Sequence, residues 1–337
     1  MEAVKQYTAK DFKSDNVVRW CPGCGDYAII SALQKVMSEM AIPPHETAVI
    51  SGIGCSSRLP YYLTSYGFHT IHGRGAAVAT GVKVANPNLA VWQITGDGDC
   101  LAIGGNHFIH SVRRNIDINV LLINNQIYGL TKGQFSPTSL KGKITKSSPY
   151  GTIEEPFRPA ELVFGARGNF FGRLLDVDLK NAQQVMLAAA KHKGTAVIEC
   201  MVNCIIFNDG AHAAVGERAN RANNMLFLEH GKPLIYGVNN DKGIVLEHGR
   251  LKAVTIGENG VTEDDVLIHN AQNPNPTMHW ELAMMQGPDF PITVGVIRDV
   301  QAETYNDAMD NQIDEVRKKS SITCFDDLVD SLEQWEI

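Results

Sequence analysis

A chain of 337 residues that is 44% hydrophobic has room for a doubly wound domain of about 200 residues and a second unit of about 100. Its formal net charge of -7, with no dense Lys/Arg run, excludes a nucleic-acid or anionic-membrane surface as the main partner and leaves local anion sites open. With neither a signal-peptide core near the start nor a run of ~18 apolar residues, a cytoplasmic protein is expected, and seven cysteines there favour metal or redox use over disulfides.

In chain order, the first signal is Trp20-Cys21-Pro22-Gly23-Cys24-Gly25. A C-x-x-C at this place can be a redox dithiol, half of a zinc site or part of an iron–sulfur site. Ile29, Ile30, Leu33, Val36, Met37 and Met40 then recur at three- and four-residue steps, which predicts an amphipathic helix over 26–40. Continuous apolar runs rich in β-branched residues over 47–53, 89–95, 118–124 and 195–202 read as strands buried on both faces. Helices are predicted between them over 76–85, 103–114 and 179–193, the last closed by Gly194. This alternation predicts an α/β fold, a doubly wound and mostly parallel sheet with right-handed crossovers, occupying residues 1–210. From 211 to 337 the pattern weakens into short hairpins and a proline-broken stretch, read as a smaller C-terminal region covering a partner or the cofactor. The stretch 129–157, rich in Gly, Ser, Thr, Lys and Pro, is a long loop after a strand end, where function often resides.

In LAVWQITGDGD, residues 89–99, a buried strand runs into a glycine-bracketed aspartate, and LLINNQIYG ends a neighbouring strand in two asparagines. Open α/β sheets bind ligands in the crevice outside such strand ends. Mg²⁺ prefers octahedral oxygen ligands and shares its shell with phosphates, so Asp97, the Asn125 amide oxygen and the Ile127 carbonyl form a sensible set with two diphosphate oxygens. Gly96 and Gly98 would let the backbone approach the diphosphate, and a helix after Ile103 would add its dipole. Gly96 to Asn125 spans 30 residues, which is similar to the signature of thiamine diphosphate enzymes from Gly-Asp-Gly to paired asparagines.

Cys55, in Ser51-Gly52-Ile53-Gly54-Cys55-Ser56-Ser57-Arg58, follows a buried strand, and Cys204 lies just beyond another. With Cys21 and Cys24 they give four thiolates at one rim, as a [4Fe–4S] cluster needs. Cys200 competes with Cys204 but lies within its strand; it is read as structural, with Cys100 and Cys324. Unligated thiols and zinc remain alternatives on the residues alone. Iron–sulfur is favoured by the pairing with thiamine chemistry, because decarboxylating a 2-oxo acid leaves electrons that a cluster accepts singly and zinc does not.

Together WCPGCGDYAI, SGIGCSSR, HGRGAAVATGVKVANP, GDGDCLAIGGNH and INNQIYGLTKGQFSPTS resemble the β subunits of the 2-oxoacid:ferredoxin oxidoreductases over residues 17–210. The C-terminal region is more similar to that of the 2-oxoglutarate enzymes. The resemblance implies a thiamine diphosphate-binding fold, a [4Fe–4S] cluster on Cys21, Cys24, Cys55 and Cys204, and Mg²⁺ on Asp97, Asn125 and the Ile127 carbonyl. It implies thiamine diphosphate contacts from Ile53, Gly54, Cys55, Ser56, His72, Gly98, Asp99, Gly129 and Leu130. Arg58 would pair with the substrate's carboxylate, whereas His69 and Arg74 are read as solvated or structural. The implied activity is coenzyme A-dependent oxidative decarboxylation of 2-oxoglutarate to succinyl-CoA and CO₂, with electrons passing through the cluster to ferredoxin, or the reverse reaction fixing CO₂. A pyruvate enzyme and a non-redox thiamine decarboxylase or carboligase are the alternatives. No glutamate for the aminopyrimidine ring can be identified, so an α subunit is expected to supply it within an (αβ)₂ assembly.

Overall fold

The structure, a computed structural model, describes residues 6–332. Its main sheet contains β1 (Thr47–Ser51), β2 (Tyr66–His69), β3 (Ala90–Gly96), β4 (Asn119–Asn124), β5 (Phe170–Leu175), β6 (Ala196–Met201) and β7 (Met225–Leu228). A separate three-stranded sheet follows, of β8 (Ile235–Tyr236), β9 (Lys242–Glu247) and β10 (Arg250–Thr255), before β11 (Ile292–Asp299) returns to the main one. The order across the main sheet is β2-β1-β3-β4-β6-β5-β11-β7. Every pairing in it is parallel except that of β11 with β5.

The central strands carry Val, Ile and Leu on both faces because both faces are covered. On one, α1 (Asp26–Met40) and α6 (Leu179–Lys191) pack Ile29, Leu33, Val185 and Met186 against Ile94, Leu121 and Ile198. On the other, α2 (Gly75–Ala85), α4 (Gly105–Arg114) and α5 (Pro159–Gly165) pack Ala79, Phe108, Val112 and Val163 against Val120, Leu122 and Val197. Each such aliphatic or aromatic side chain stabilises the fold by roughly 1.5–3 kcal/mol. The fold is therefore the expected doubly wound α/β sheet, and β1, β3 and β4 end on one rim.

Several elements differ from expectation for identifiable reasons. The strand β5 reads FFGRLL, and its central Arg173 breaks the apolar run although every residue of the strand is buried. A partner on the adjacent strand makes this tolerable: Arg173 Nε donates to Glu199 Oε2 at 2.8 Å. The edge strand β2 is short and mostly exposed, so it carries no burial pattern. Residues beyond 211 contribute β7 and β11 to the main sheet as well as the predicted hairpins. A short helix, α3 (Asp97–Leu101), begins at Asp97 itself, and α4 starts at Gly105 rather than 103, so α3 comes between the end of β3 and the helix expected after Ile103. Nor does Gly194 cap α6, which stops at Lys191. A Cβ at Gly194 would lie 2.2 Å from Asn115 Oδ1, and this close approach, with φ at +124°, is what demands glycine.

Candidate functional site

The loops after β1, β3 and β4 enclose a cavity of about 470 Å³, within the range of small-molecule sites. Ile53, Gly54, Cys55, Ser56, His72, Gly98, Asp99, Gly129 and Leu130 all line it, with Asp97, Asn125 and Ile127. Thus the two strand-end motifs, far apart in sequence, face one space.

Asp97 is 3% exposed. Its Oδ2 accepts hydrogen bonds from Ser136 Oγ at 2.6 Å and Thr138 Oγ1 at 2.5 Å. Among the described residues no Lys, Arg or His forms an ion pair with it. Burial therefore pushes its carboxyl above the usual range, with the two hydroxyls opposing the shift. A buried carboxylate at a cavity wall, held in place yet short of positive charge, is the donor that a divalent cation suits. Across the cavity, Asn125 Oδ1 accepts from the Ile127 N–H at 3.1 Å, closing a turn around Gln126, whose φ is +55°. Asn208 Nδ2 holds that turn from behind, donating to the carbonyls of Asn125 at 2.9 Å and Gln126 at 3.2 Å.

Asp99, at the cavity wall, also braces its neighbours. Its Oδ1 accepts from Ile53 N at 3.0 Å, Gly73 N at 2.8 Å and the His72 Nδ1 at 2.7 Å, while Oδ2 accepts from Thr95 Oγ1 at 2.8 Å. One side chain ties three lining segments together and orients the His72 ring. Gly98 also has a reason not read from the sequence. A Cβ there would lie 2.2 Å from the Tyr128 ring, whose hydroxyl donates to Gly98 O at 3.0 Å. We expect Gly98→Ala to displace Tyr128 and weaken cofactor binding about tenfold or more, measured by calorimetric titration; unchanged affinity would show that the tyrosine moves freely.

The four candidate cysteines come from three segments bolted together. The Trp20 indole N–H donates to the Cys55 carbonyl at 2.7 Å, and the Gly25 N–H donates to the Asn203 carbonyl at 3.4 Å. A Cβ at Gly129, on the cavity wall, would lie 3.5 Å from Cys55 Sγ and 3.8 Å from Cys204 Sγ. Cys55 is near enough to Cys21 and Cys204, and Cys24 to Cys55 and Cys204, for a charge on one to act on the other. Burial, reinforced by Asp26, pushes the Cys55 thiol up to about 11 and the Cys24 thiol higher still, so both stay protonated unless a metal centre draws the protons off. By contrast Cys200 is fully buried in the α1/α6 core, Cys100 is buried, and Cys324 is exposed at the start of a short helix.

Arg58 is half-buried and lines an adjoining cavity, which shares Gly54 and Leu130 with the first. His69 lines the same second cavity, with its ring edge-on to Tyr61; Arg74 lines neither. Sequence reasoning missed Ser136, Thr138, Tyr128 and Asn208. The only signal was the composition and position of the loop over 129–157, which cannot say which hydroxyl folds back onto Asp97.

Residues 52–200 match the family described as thiamine pyrophosphate enzyme, C-terminal TPP binding domain. The chain is 45% identical over 305 residues to the 2-oxoglutarate oxidoreductase subunit KorB of Mycobacterium tuberculosis, covering 90% of this chain and 81% of the relative. It is 46% identical over 190 residues to 2-oxoacid:ferredoxin oxidoreductase 1, subunit beta, of Aeropyrum pernix, covering 56% of this chain and 60% of that one. Among solved structures it superposes on the 2-oxoglutarate:ferredoxin oxidoreductase from Magnetococcus marinus, which has 2-oxoglutarate, coenzyme A and succinyl-CoA bound. The TM-score is 0.78 at 29% identity, covering 98% of this chain and 97% of that one. No helix among the described residues is long and apolar enough to cross a membrane.

Proposed function

The chain belongs to the β subunits of the 2-oxoacid:ferredoxin oxidoreductases, and from that premise we propose how its residues divide the work of a 2-oxoglutarate enzyme. It is a thiamine diphosphate-binding subunit that acts with an α subunit in coenzyme A-dependent oxidation of 2-oxoglutarate. Asp97, the Asn125 amide oxygen and the Ile127 carbonyl hold Mg²⁺ and through it the diphosphate. His72, braced by Asp99, and the Ile53–Ser56 and Gly129–Leu130 segments shape the walls around the cofactor. Cys21, Cys24, Cys55 and Cys204 hold a [4Fe–4S] cluster. Bound thiamine diphosphate supplies the nucleophilic carbon and electron sink for decarboxylation, and the cluster a one-electron exit toward ferredoxin.

One observation carries this reading: Gly129 lines the cofactor cavity and also lies against the thiols of Cys55 and Cys204. The electron source and the electron exit therefore share a wall. Among the described residues no three His, Cys, Asp or Glu side chains close on a single point as the ligands of one ion would. A cubane asks for less, because each of its four cysteines binds a different iron. Arg58, beside the cavity, pairs with the substrate's carboxylate. The α subunit supplies the glutamate that activates the aminopyrimidine ring, the assembly is (αβ)₂ in the cytoplasm, and the region from 211 covers the cofactor or the partner. The residues allow operation in reverse, with CO₂ fixed at the expense of reduced ferredoxin.

Iron, sulfide and zinc analysis of the co-expressed, anaerobically purified αβ enzyme tests the cluster. We expect about four iron and four sulfide per β chain, lost in Cys204→Ser and kept in Cys200→Ser. Zinc without sulfide would overturn it. Coenzyme A-dependent dye reduction with a panel of 2-oxo acids tests the substrate: 2-oxoglutarate is expected to lead, and a preference for pyruvate would defeat that assignment while leaving the family intact.

A further inference from the structure

The cavity beside the cofactor site has a volume of about 660 Å³ and holds a second arginine, Arg19, facing the same space as Arg58 and His69. The two cavities meet at Gly54 and Leu130. Gly54 has φ at +126°, and a Cβ built on it meets no atom within 4 Å, so the shared wall is open at that point.

Both arginines hang from one rigid knot. The Trp20 ring packs edge-on against Tyr62 with centroids 4.9 Å apart, and its indole N–H is bonded to the Cys55 carbonyl. The Arg19 backbone N–H donates to the Tyr62 hydroxyl at 2.9 Å, and the Arg58 backbone N–H to the Cys55 carbonyl at 3.2 Å. Their backbones are thus fixed relative to each other, and the Arg58 guanidinium lies near enough to Cys55 to favour its charged form. Neither guanidinium has an ion-pair or hydrogen-bond partner among the described residues, although Asp15 lines the same cavity. Arg19 is exposed and Arg58 half-buried at the cavity, unlike the buried Arg173 and Arg298. Arg173 and Arg298 are each engaged by several acceptors. Two guanidiniums facing one cavity make it locally positive, and each planar fork matches a carboxylate. An anion with two separated charges suits both.

Resting on the 2-oxoglutarate reading, the geometry points to Arg19 as a specificity-determining residue that binds the second carboxylate of a 2-oxo dicarboxylic acid, Arg58 taking the first. A substrate ending in a methyl group brings one negative charge, which Arg58 satisfies, and gains nothing from Arg19. A dicarboxylate brings a second charge into the space that Arg19 faces. Arg19 therefore discriminates between classes of 2-oxo acid without touching the reacting carbon.

The test compares Arg19→Gln and Arg19→Lys with the unmutated αβ enzyme, using 2-oxoglutarate, pyruvate and 2-oxobutyrate, with iron content as the control for an intact cluster loop. We expect Arg19→Gln to lower kcat/KM for 2-oxoglutarate about 30-fold, mostly through KM, to leave the monocarboxylates within about twofold and the KM for coenzyme A unchanged, and Arg19→Lys to recover part of the loss. Equal losses on all three acids would overturn the proposal. So would a raised KM for coenzyme A, which would move the arginine pair to that molecule's phosphates. If Arg19→Gln loses iron, Arg19→Lys carries the same comparison. An unmutated enzyme that prefers pyruvate overturns the 2-oxoglutarate reading itself; one that prefers 2-oxoglutarate with selectivity unchanged in both variants overturns only the role of Arg19.

Discussion

Asp97→Asn is expected to weaken Mg²⁺-dependent binding of thiamine diphosphate to the αβ enzyme by at least about 100-fold, read by calorimetric titration, while leaving the iron content unchanged. Asparagine keeps the shape and removes the charge, and Asp97 is the only carboxylate in the proposed donor set. Removing the hydroxyls that aim it, in Ser136→Ala or Thr138→Val, should have a smaller effect of about tenfold. Because burial holds the Asp97 carboxyl above its usual range, protons compete with the metal at higher pH than they would at an exposed carboxylate, and apparent Mg²⁺ affinity should fall as pH is lowered. The sign for the apo protein is opposite. The folded state holds the proton more tightly than the unfolded one, so this group makes the fold less stable as pH rises above the ordinary carboxylate range, and Mg²⁺ removes that penalty. Unaltered Mg²⁺-dependent binding in Asp97→Asn would assign the metal elsewhere.

Arg173→Met is expected to cost about 3–5 kcal/mol of stability, seen as an earlier urea midpoint. The loss does not come from the ion pair's own strength, which desolvation largely cancels, but from leaving Glu199 buried without a cation. Glu199 Oε1 accepts from Asn124 Nδ2 at 2.8 Å, and Arg173 Nη1 donates to the Thr293 carbonyl at 3.0 Å, so the pair joins β4, β5, β6 and β11 across the sheet. Adding Glu199→Gln to Arg173→Met should restore most of the loss, since no charge then remains to be compensated. A single-variant loss below about 1 kcal/mol would mean that water reaches Glu199. The network also continues toward the site, because Asn124 Oδ1 lies 2.9 Å from Thr138 Oγ1, the hydroxyl that holds Asp97.

What could be read from the sequence divides along physical lines. Strands buried on both faces announce themselves by composition, so β1, β3, β4 and β6 were legible. The strand β5 was not, because a charge in the middle of a buried strand is intelligible only once its partner on another strand is known. Asp97 and the Asn124-Asn125 pair were legible because glycines and strand ends mark them locally. Ser136 and Thr138 were not, since nothing local tells a hydroxyl that meets Asp97 from one that meets water. That Cys200 sits in the core and Cys204 beside Cys55 near Gly129 was readable from their positions relative to the strand end. The shared cavity of Arg19 and Arg58 was not legible, because it is a relation between segments that no spacing encodes.

The four hydrogen bonds on Asp99 have a thermodynamic consequence. The Ile53 segment, the His72-Gly73 turn and the end of β3 lose their freedom when the chain folds, since one buried carboxylate fixes all three. That entropy is already spent when the cofactor arrives, and more of the contact energy then appears as affinity. An Asp99→Asn subunit, with an amide that cannot accept on both atoms, would defer the ordering of these loops to the binding step. Its cofactor association would carry a more unfavourable entropy than that of the unmutated chain, even where the enthalpy of contact is preserved.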